Sequence, residues 1–578
     1  MKNKIASINN CLNCKKAGCN NNCFINTNIK DIINLMKEDK IEEAINLHYN
    51  YNSIGFICGI LCDHMRGCLG GCNNKKNPVS TNELCYLLGV QRLNLEIHKM
   101  KPRNKHVVII GGGVAGMIAA EKLLEAGFEV SLYEKSNKLG GVLNLVMPEF
   151  RYDMSVFNKW EERLKTLGLN VYLNKTVNSL SDIEKFDYLV VATGAGIAKR
   201  LYDDKLTVDA LKVLEEVKLN KLNFNGLDVV VLGGGNTAYD VARVVNRLGN
   251  NVSIAYRRDI KNSPAAIKEV EVAVSEGVKV LECIAPKEIT IVGNKKQIRF
   301  VKTSLVNDGG TRLNFKETSD EVNITCDVVI EAIGANSDLK FIKENYPSLL
   351  NEKGYVTDIE NDNIYVIGDA YSGASNFASA NLTARECVSK IIEKEKRSVL
   401  FGGSFNPPTI AHYEIIKYLS KNYDEVLVLP NGDTYTFAGK VLDSFKHRVN
   451  MLYEMVKYLP NVKVLELENE QEFMGTYWTL RTLNHPTFVL GADCLDKLHL
   501  WKHFDELMTE NNFIVFNRGE SNISNMINTN IYLNKFLNKF EIIDLKVPDV
   551  SSTEFRKSLN KDIVCKEVYD YIIKNELY

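Results

Sequence analysis

Nine of the 14 cysteines crowd between residues 11 and 85. Cys11, Cys14, Cys19 and Cys23 follow the spacing C-x2-C-x4-C-x3-C. Cys58, Cys62, Cys68 and Cys72 follow C-x3-C-x5-C-x3-C, and Cys85 stands alone. Thiolates on short loops can hold iron–sulfur cubanes, each of which takes four ligands. Two cubanes need eight ligands, and nine are present. A pair of structural zinc sites is the alternative, but the paired C-x2-C knuckles common in such sites are absent. A second chemistry lies in three glycine-rich turns. The first, Gly111-Gly112-Gly113-Val114-Ala115-Gly116, follows the apolar run His106–Ile110. The second, Gly233-Gly234-Gly235-Asn236-Thr237-Ala238, follows Leu227–Leu232, and the third runs from Phe401 to His412. A glycine turn that opens a helix can bind phosphate through backbone N–H groups and the positive helix end.

The three turns differ in what they suit. Gly111, Gly113 and Gly116 give the G-x-G-x-x-G spacing, with Glu134 ending the next strand 23 residues after Gly111. A carboxylate there accepts both ribose hydroxyls, so the site suits a flavin dinucleotide, FAD. The same count from Gly233 reaches Tyr256, followed by Arg257 and Arg258. Two guanidiniums attract a 2′-phosphate where a carboxylate would repel it, which favours NADPH over NADH. Gly235, Asn236 and Thr237 would start the helix facing its pyrophosphate. In the third turn, Gly402 and Gly403 let amides approach phosphates, and Ser404, Phe405 and two prolines lead to a helix start at Thr409–His412. His412 can donate to the phosphates of ATP, as nucleotidyl transfer requires.

Parallel-sheet units must position these turns. The expected fold class is α/β, with a helical iron–sulfur head, two nested Rossmann-like dinucleotide-binding domains and a C-terminal Rossmann-like nucleotidyltransferase domain. The head occupies 1–100, with helical periodicity over Ile29–Leu47. The FAD-binding domain takes 101–204, the NAD(P)-binding domain 205–327, and the FAD-binding domain resumes over 328–394. That return is expected because Val328–Gly334 resembles the earlier strand ending at Gly194. After the charged run Glu393–Arg397, the last domain covers 398–578. Across 578 residues, 71 Lys plus Arg balance 72 Asp plus Glu, so charge gives no reason to expect nucleic acid or an anionic membrane as partner. No apolar run approaches the roughly 20 residues of a membrane span, and the start lacks a signal-peptide core. A cytoplasmic location is expected, where a cysteine cluster points to metal rather than disulfides.

The cysteine pattern resembles the N-terminal domain shared by the glutamate synthase small subunit and dihydropyrimidine dehydrogenase. That resemblance covers about residues 8–392. It implies two [4Fe-4S] clusters, one on Cys11, Cys14, Cys19 and Cys72 and the other on Cys23, Cys62 and Cys68. The family's fourth ligand to the second, a Gln or an acid after a Pro-Val/Ile-x-Ile stretch, falls here on Cys85, which leaves Cys58 spare. Leu139–Leu143, including Gly141, and Met147–Arg151 match the flavin-domain continuation, as does Gly368-Asp369-Ala370. Asp369 would sit by the ribityl and pyrophosphate. Tyr256-Arg257-Arg258, Pro264-Ala265 and Glu269-Val270-Glu271 match the NADP segment.

Residues 398–578 resemble nicotinate and nicotinamide mononucleotide adenylyltransferases. Thr409-Ile410-Ala411-His412 is similar to their (H/T)xGH signature, with Ala411 in place of glycine. Ser551, Ser552, Thr553 and Arg556 resemble the SSTxxR signature for the triphosphate, and His412 and Arg556 would be the catalytic pair. Gly491-Ala492-Asp493 with Leu498 and Trp501 implies that Asp493 contacts the adenosine ribose side and Trp501 stacks on the pyridine ring. Pro430–Tyr435, with Arg448 and Met451, resembles the mononucleotide-side loop. The expected whole is an NADPH-dependent oxidoreductase fused to an adenylyltransferase using ATP and Mg²⁺. Small-molecule nucleotides, and a separate electron-accepting protein subunit, are the expected partners. The rival expectation is an electron-transfer subunit whose C-terminal domain only senses nucleotide.

Overall fold

The apolar spacing at Ile29–Leu47 covers two helices, because Asp39 takes a left-handed φ of 62° between them. Asn28 caps the first, α1 (Ile29–Lys37), by accepting the Asp31 N–H, and Ile29, Ile32, Ile33, Leu35 and Met36 are buried. Next come α2 (Ile41–Tyr51), α3 (Gly55–Leu61) and α4 (Thr81–Asn94). A Cβ on Gly89 would lie 2.2 Å from the Phe56 nitrogen, so α4 crosses α3 backbone to backbone. The computed structural model describes residues 6–307, 313–433, 442–470, 474–516 and 522–578. The chain divides into two units, Met1–Ile391 and Ile392–Tyr578.

Two sheets follow the head, the second parallel and the first parallel except for one antiparallel edge strand. The first takes β1 (His106–Ile110), β2 (Glu129–Tyr133), β3 (Asn170–Tyr172) and β4 (Tyr188–Val191), with α5 (Val114–Glu125) between β1 and β2 and α6 (Met154–Leu167) before β3. The second takes β5 (Val208–Asp209), β6 (Asp228–Leu232), α7 (Asn236–Arg247), β7 (Asn251–Tyr256) and β8 (Lys279–Glu282). An antiparallel sheet, β9 (Ile284–Val292), β10 (Lys295–Val306) and β11 (Asn314–Cys326), is inserted after β8. The next strand, β12 (Val328–Glu331), corrects one expected boundary. It pairs in parallel with β6 and β5, giving the order β5-β12-β6-β7-β8, so it closes the second sheet instead of returning to the first. Its likeness to the strand before Gly194 has a physical cause, since β12 flanks β6 as β4 flanks β1. The chain crosses back at the short ribbon pairing Ala335 with Ala198. It then adds β13 (Glu360–Asn361) and β14 (Ile364–Val366) to the first sheet, in the order β13-β14-β4-β1-β2-β3. Helix α8 (Phe377–Lys394) follows.

The second unit is a single parallel sheet. Its strands are β15 (Ser398–Gly403), β16 (Glu425–Pro430), β17 (Val462–Val464), β18 (Thr487–Gly491), β19 (Phe513–Phe516) and β20 (Phe540–Ile543). They lie in the order β17-β16-β15-β18-β19-β20, the doubly wound 3-2-1-4-5-6 arrangement. Helix α9 (Ile410–Asn422) follows β15, α10 (Phe445–Val456) follows β16, and α11 (Ser552–Ser558) and α12 (Lys566–Lys574) close the chain. Among the described residues, no helix is long and apolar enough to cross a membrane.

Within the first unit, a buried aromatic joint fastens the head to the first sheet. Trp160 on α6 meets Phe56 of α3 edge-on at 5.3 Å and Phe157 at 6.0 Å. Its indole N–H donates to Glu121 at 2.7 Å, and the Arg163 guanidinium reaches the same carboxylate at 3.2 Å. Trp160→Ala should destabilise by about 3–5 kcal/mol, since it opens a cavity and removes a donor from a buried carboxylate. Trp160→Phe should cost less. Urea midpoints followed by circular dichroism check both.

Candidate functional sites

The head brings its cysteines together as two sets. Cys11, Cys14, Cys19 and Cys72 line a cavity of about 400 Å³. Cys23, Cys62, Cys68 and Cys85 line another of about 500 Å³. Cys58, expected to be spare, lines this second cavity too. Burial pushes the Cys19 thiol up to about 11 and the Cys58 thiol up to about 12, and raises Cys62, Cys68 and Cys85 as well. Ionised thiolates in such places repel one another unless a cationic core lies between them, so the donor set fits a metal–sulfur centre. Among the described residues, no three His, Cys, Asp or Glu side chains close on a single-ion position. The thiols surround a volume instead.

The two dinucleotide turns repeat one geometry. Strand β1 delivers Gly111 so close to the neighbouring chain that a Cβ would lie 2.3 Å from the Ala192 oxygen. Strand β6 does the same with Gly233, 2.3 Å from the Ala332 oxygen. Gly113 and Gly235 cap α5 and α7, and a Cβ on either would meet nothing within 4 Å. That is open space before a helix N-terminus, where a pyrophosphate fits. Gly116 lets α5 sit against its own turn, since a Cβ there would lie 2.1 Å from the Gly111 oxygen. Other loops complete the first cradle. Gly140 bridges to Gly113, a Cβ on Gly141 would stand 3.1 Å from the Gly113 Cα, and one on Gly368 would stand 2.8 Å from the Ala115 Cβ. Asp369 begins the short helix after Gly368, and burial pushes its carboxyl up to about 6.

The cradles part company at the acidic position. Glu134 accepts the Gly112 N–H at 2.7 Å and the Ser136 N–H at 2.8 Å, inside the first turn. In the second turn the Tyr256 ring takes that place, with its Cδ2 2.3 Å from where a Gly234 Cβ would be. Asn236 accepts the Ala266 N–H at 2.9 Å, and Thr237 follows it on α7. Arg257 and Arg258 leave β7 and lie over the Phe315 ring, 4.8 and 5.7 Å from its centroid. Arg258 also donates to the Leu313 oxygen at 2.7 Å. The inserted antiparallel sheet therefore holds both cations.

In the second unit, β15 delivers Gly402 and Gly403, and Ser404 and Phe405 carry the chain to α9. Thr409 and His412 form a capping box, with the Thr409 N–H donating to His412 Nδ1 at 2.9 Å. In the neutral ring, Nε2 then carries the proton and can serve as a donor. Arg448 is fully buried and donates to the Ser404 oxygen at 3.0 Å and to Asp433 at 3.2 Å. Arg556 donates to the Asn406 oxygen and, at 3.2 Å, to Thr553. Ser551 caps α11 by accepting the Glu554 N–H, and the Ser552 hydroxyl donates to the Pro407 oxygen at 2.8 Å. α11 thus stands against the glycine turn. Asp493 folds back beside Gly491 at the end of β18, while Trp501 lies edge-on to Phe488, whose ring covers Gly402. Thr434 and Tyr435 of the mononucleotide-side loop lie outside the described residues.

Comparison with known proteins agrees with this division. Residues 2–90 match the family described as dihydropyrimidine dehydrogenase domain II, 4Fe-4S cluster. Residues 105–384 match pyridine nucleotide-disulphide oxidoreductase, and residues 400–558 match cytidylyltransferase-like. The chain is 30% identical over 425 residues to "Putative oxidoreductase AegA" of Escherichia coli K12, covering 66% of this chain and 64% of that one. It is 29% identical over 414 residues to the glutamate synthase [NADPH] small chain of Azospirillum brasilense, covering 64% of this chain and 84% of that one. With the NADPH-Fe(3+) oxidoreductase subunit beta of Geobacter sulfurreducens it shares 28% identity over 366 residues, or 59% of this chain and 54% of that one. The chain therefore spans just under two thirds of the AegA protein's length.

Several residues of these sites carry no motif. Asn52 and His48 at the second cavity, Asn381 behind them, and Phe315 under the arginines come from distant segments. Glu468 is another, since it accepts the Gly432 N–H at 3.2 Å and burial pushes it up to about 7. The cavities generate one expectation. Anaerobically purified protein should carry about eight irons with acid-labile sulfide. Cys85→Ser should perturb one cluster, and Cys58→Ser should leave both. Zinc in stoichiometric amount without sulfide would overturn it, and a cluster lost in Cys58→Ser alone would exchange the roles of the two thiols.

Proposed function

We propose that the first unit is an NADPH-dependent iron–sulfur flavoprotein oxidoreductase. The observation that carries this reading is the pair of matched glycine cradles, one acidic at Glu134 and one basic at Arg257 and Arg258, beside two thiol-lined cavities. When bound, the flavin accepts a hydride from the nicotinamide and the clusters carry single electrons. The chain's own task is placement. Gly113 and Gly235 leave room for each pyrophosphate, and Glu134, whose oxygens keep acceptor sites beside the Gly112 and Ser136 bonds, accepts from ribose hydroxyls. Arg257 and Arg258 pair with a 2′-phosphate. Cys11, Cys14, Cys19 and Cys72 would hold one cluster, and Cys23, Cys62, Cys68 and Cys85 the other. We further propose that the electron acceptor is a separate protein, because relatives of the first unit are named as a small chain and as a subunit beta.

We propose that the second unit transfers adenylate from ATP, with Mg²⁺, to nicotinate or nicotinamide mononucleotide. In that reaction a mononucleotide phosphate oxygen bonds to the α-phosphorus of ATP as the bond to pyrophosphate breaks. His412, with Nδ1 held by Thr409, donates through Nε2 to the charge that builds on the phosphates. Arg556, standing over the same turn, adds a fixed cation. The cytidylyltransferase-like match supports nucleotidyl transfer in general. The mononucleotide rests on the segments around Asp493, Trp501 and Asp433.

Pyrophosphate release, measured with ATP, Mg²⁺ and each mononucleotide, tests the second reading, and binding of ATP without release overturns it. His412→Ala should slow release by on the order of 10²-fold or more while leaving mononucleotide affinity near its parent value. For the first unit, replacing Arg257 and Arg258 together by Ala should remove at least roughly tenfold of the preference for NADPH over NADH in flavin reduction. Equal rates with both nucleotides in the parent protein would overturn the assignment.

A further inference from the structure

Helix α8 carries hydrogen bonds both to the flavin cradle and to the segment that reaches the second thiol cavity. The Gly368 N–H donates to the Thr383 hydroxyl on α8 at 2.8 Å. On the same helix, Asn381 is fully buried and grips the segment that follows α2 on both sides of Asn52. Its Nδ2 donates to the Tyr51 oxygen at 3.1 Å, and its Oδ1 accepts the Ser53 N–H at 3.1 Å. Asn52, fixed in turn by the Ile54 N–H at 3.2 Å, donates from Nδ2 to Cys85 Sγ at 3.2 Å. His48, one helical turn earlier, places Nε2 3.4 Å from the same sulfur. Both side chains are buried. Ala378, also on α8, lines the cavity itself.

The other sulfurs differ, although the Asn52 side chain also hydrogen-bonds Cys58 and Cys85 Sγ itself points at the Gly55 oxygen at 3.6 Å. Cys68 lies 3.1 Å from the Thr81 hydroxyl and 3.3 Å from His64 Nδ1. His64 Nε2 lies 2.8 Å from the Cys58 oxygen, so that nitrogen carries the ring proton and Nδ1 has none to donate. In the first cavity, among the described residues, Cys19 Sγ itself points at the Asn20 oxygen at 3.7 Å. Two side-chain nitrogens within 3.4 Å of one sulfur, Asn52 Nδ2 and His48 Nε2, are thus a feature of Cys85 among the described residues.

We propose that Asn52 and His48 are positioning residues for the cluster of the second cavity, and that their N–H groups raise its reduction potential. Reduction adds negative charge to a cluster and its sulfurs, and hydrogen bonds to sulfur favour the reduced form. Asn381 holds the segment that carries the Asn52 donor. The proposal rests on the iron–sulfur reading of the first unit.

Anaerobic redox titration of the full chain, followed by electron paramagnetic resonance, tests it. The signal altered in Cys85→Ser marks the second cluster. In Asn52→Leu its reduction equilibrium constant should fall at least about tenfold, a downward shift of about 59 mV for one electron. The first cluster should not move. His48→Leu should shift the second cluster the same way, and His48→Gln, which keeps a donor, should recover part of the shift. Unchanged potentials with iron and sulfide intact overturn the proposal. Should Asn52→Leu lose its cluster, the two His48 variants decide on the same criterion. A parent chain without iron and sulfide overturns the underlying reading, and the proposal with it.

Discussion

Both dinucleotide cradles depend on the same steric constraint. At Gly111 and at Gly233 the backbone turns away from its strand with φ of 109° and 142°, and a Cβ at either would stand only 2.3 Å from a neighbouring carbonyl oxygen. Only a residue without Cβ lets the turn lean on the neighbouring strand. From that close approach follow the direction of the helix, the orientation of its first N–H groups and the open space at Gly113 and Gly235. Everything that distinguishes the two sites is then carried by the tip of the next strand.

Much of this was legible because the constraint leaves a local trace. A glycine required by sterics, followed by a helix and then a strand that leads into Glu134 or Arg257, is written within about thirty residues. The second unit was legible for the same reason, since its turn at Gly402 lies on the first strand of a 3-2-1-4-5-6 sheet. The strand Val328–Glu331 misled because the two sheets are built alike. Residues in equivalent places look alike, and periodicity records burial on both faces without naming the sheet. The pairing with β6 had to be seen.

What the sequence hid are contacts between segments far apart. Nothing around Asn381 marks it as the group that clamps Tyr51 and Ser53, some 330 positions away. His48 and Asn52 are one turn apart on an ordinary amphipathic stretch, and their meaning comes from Cys85 across the cavity. That one thiol is surplus was readable by counting and the family resemblance put it on Cys58, but the place of Cys58 in the second cavity was not readable.

Phe315 shows what such distant support entails. It belongs to the inserted antiparallel sheet, not to the parallel sheet whose edge carries Arg257 and Arg258, yet its ring and the Leu313 carbonyl fix where both guanidiniums lie. The tripeptide proposed to discriminate between coenzymes is therefore not a portable cassette. Moved alone into a homologous scaffold, Tyr256-Arg257-Arg258 would bring charge without posture. Evolutionary change of coenzyme at this site would have to travel through the insertion as well as the loop.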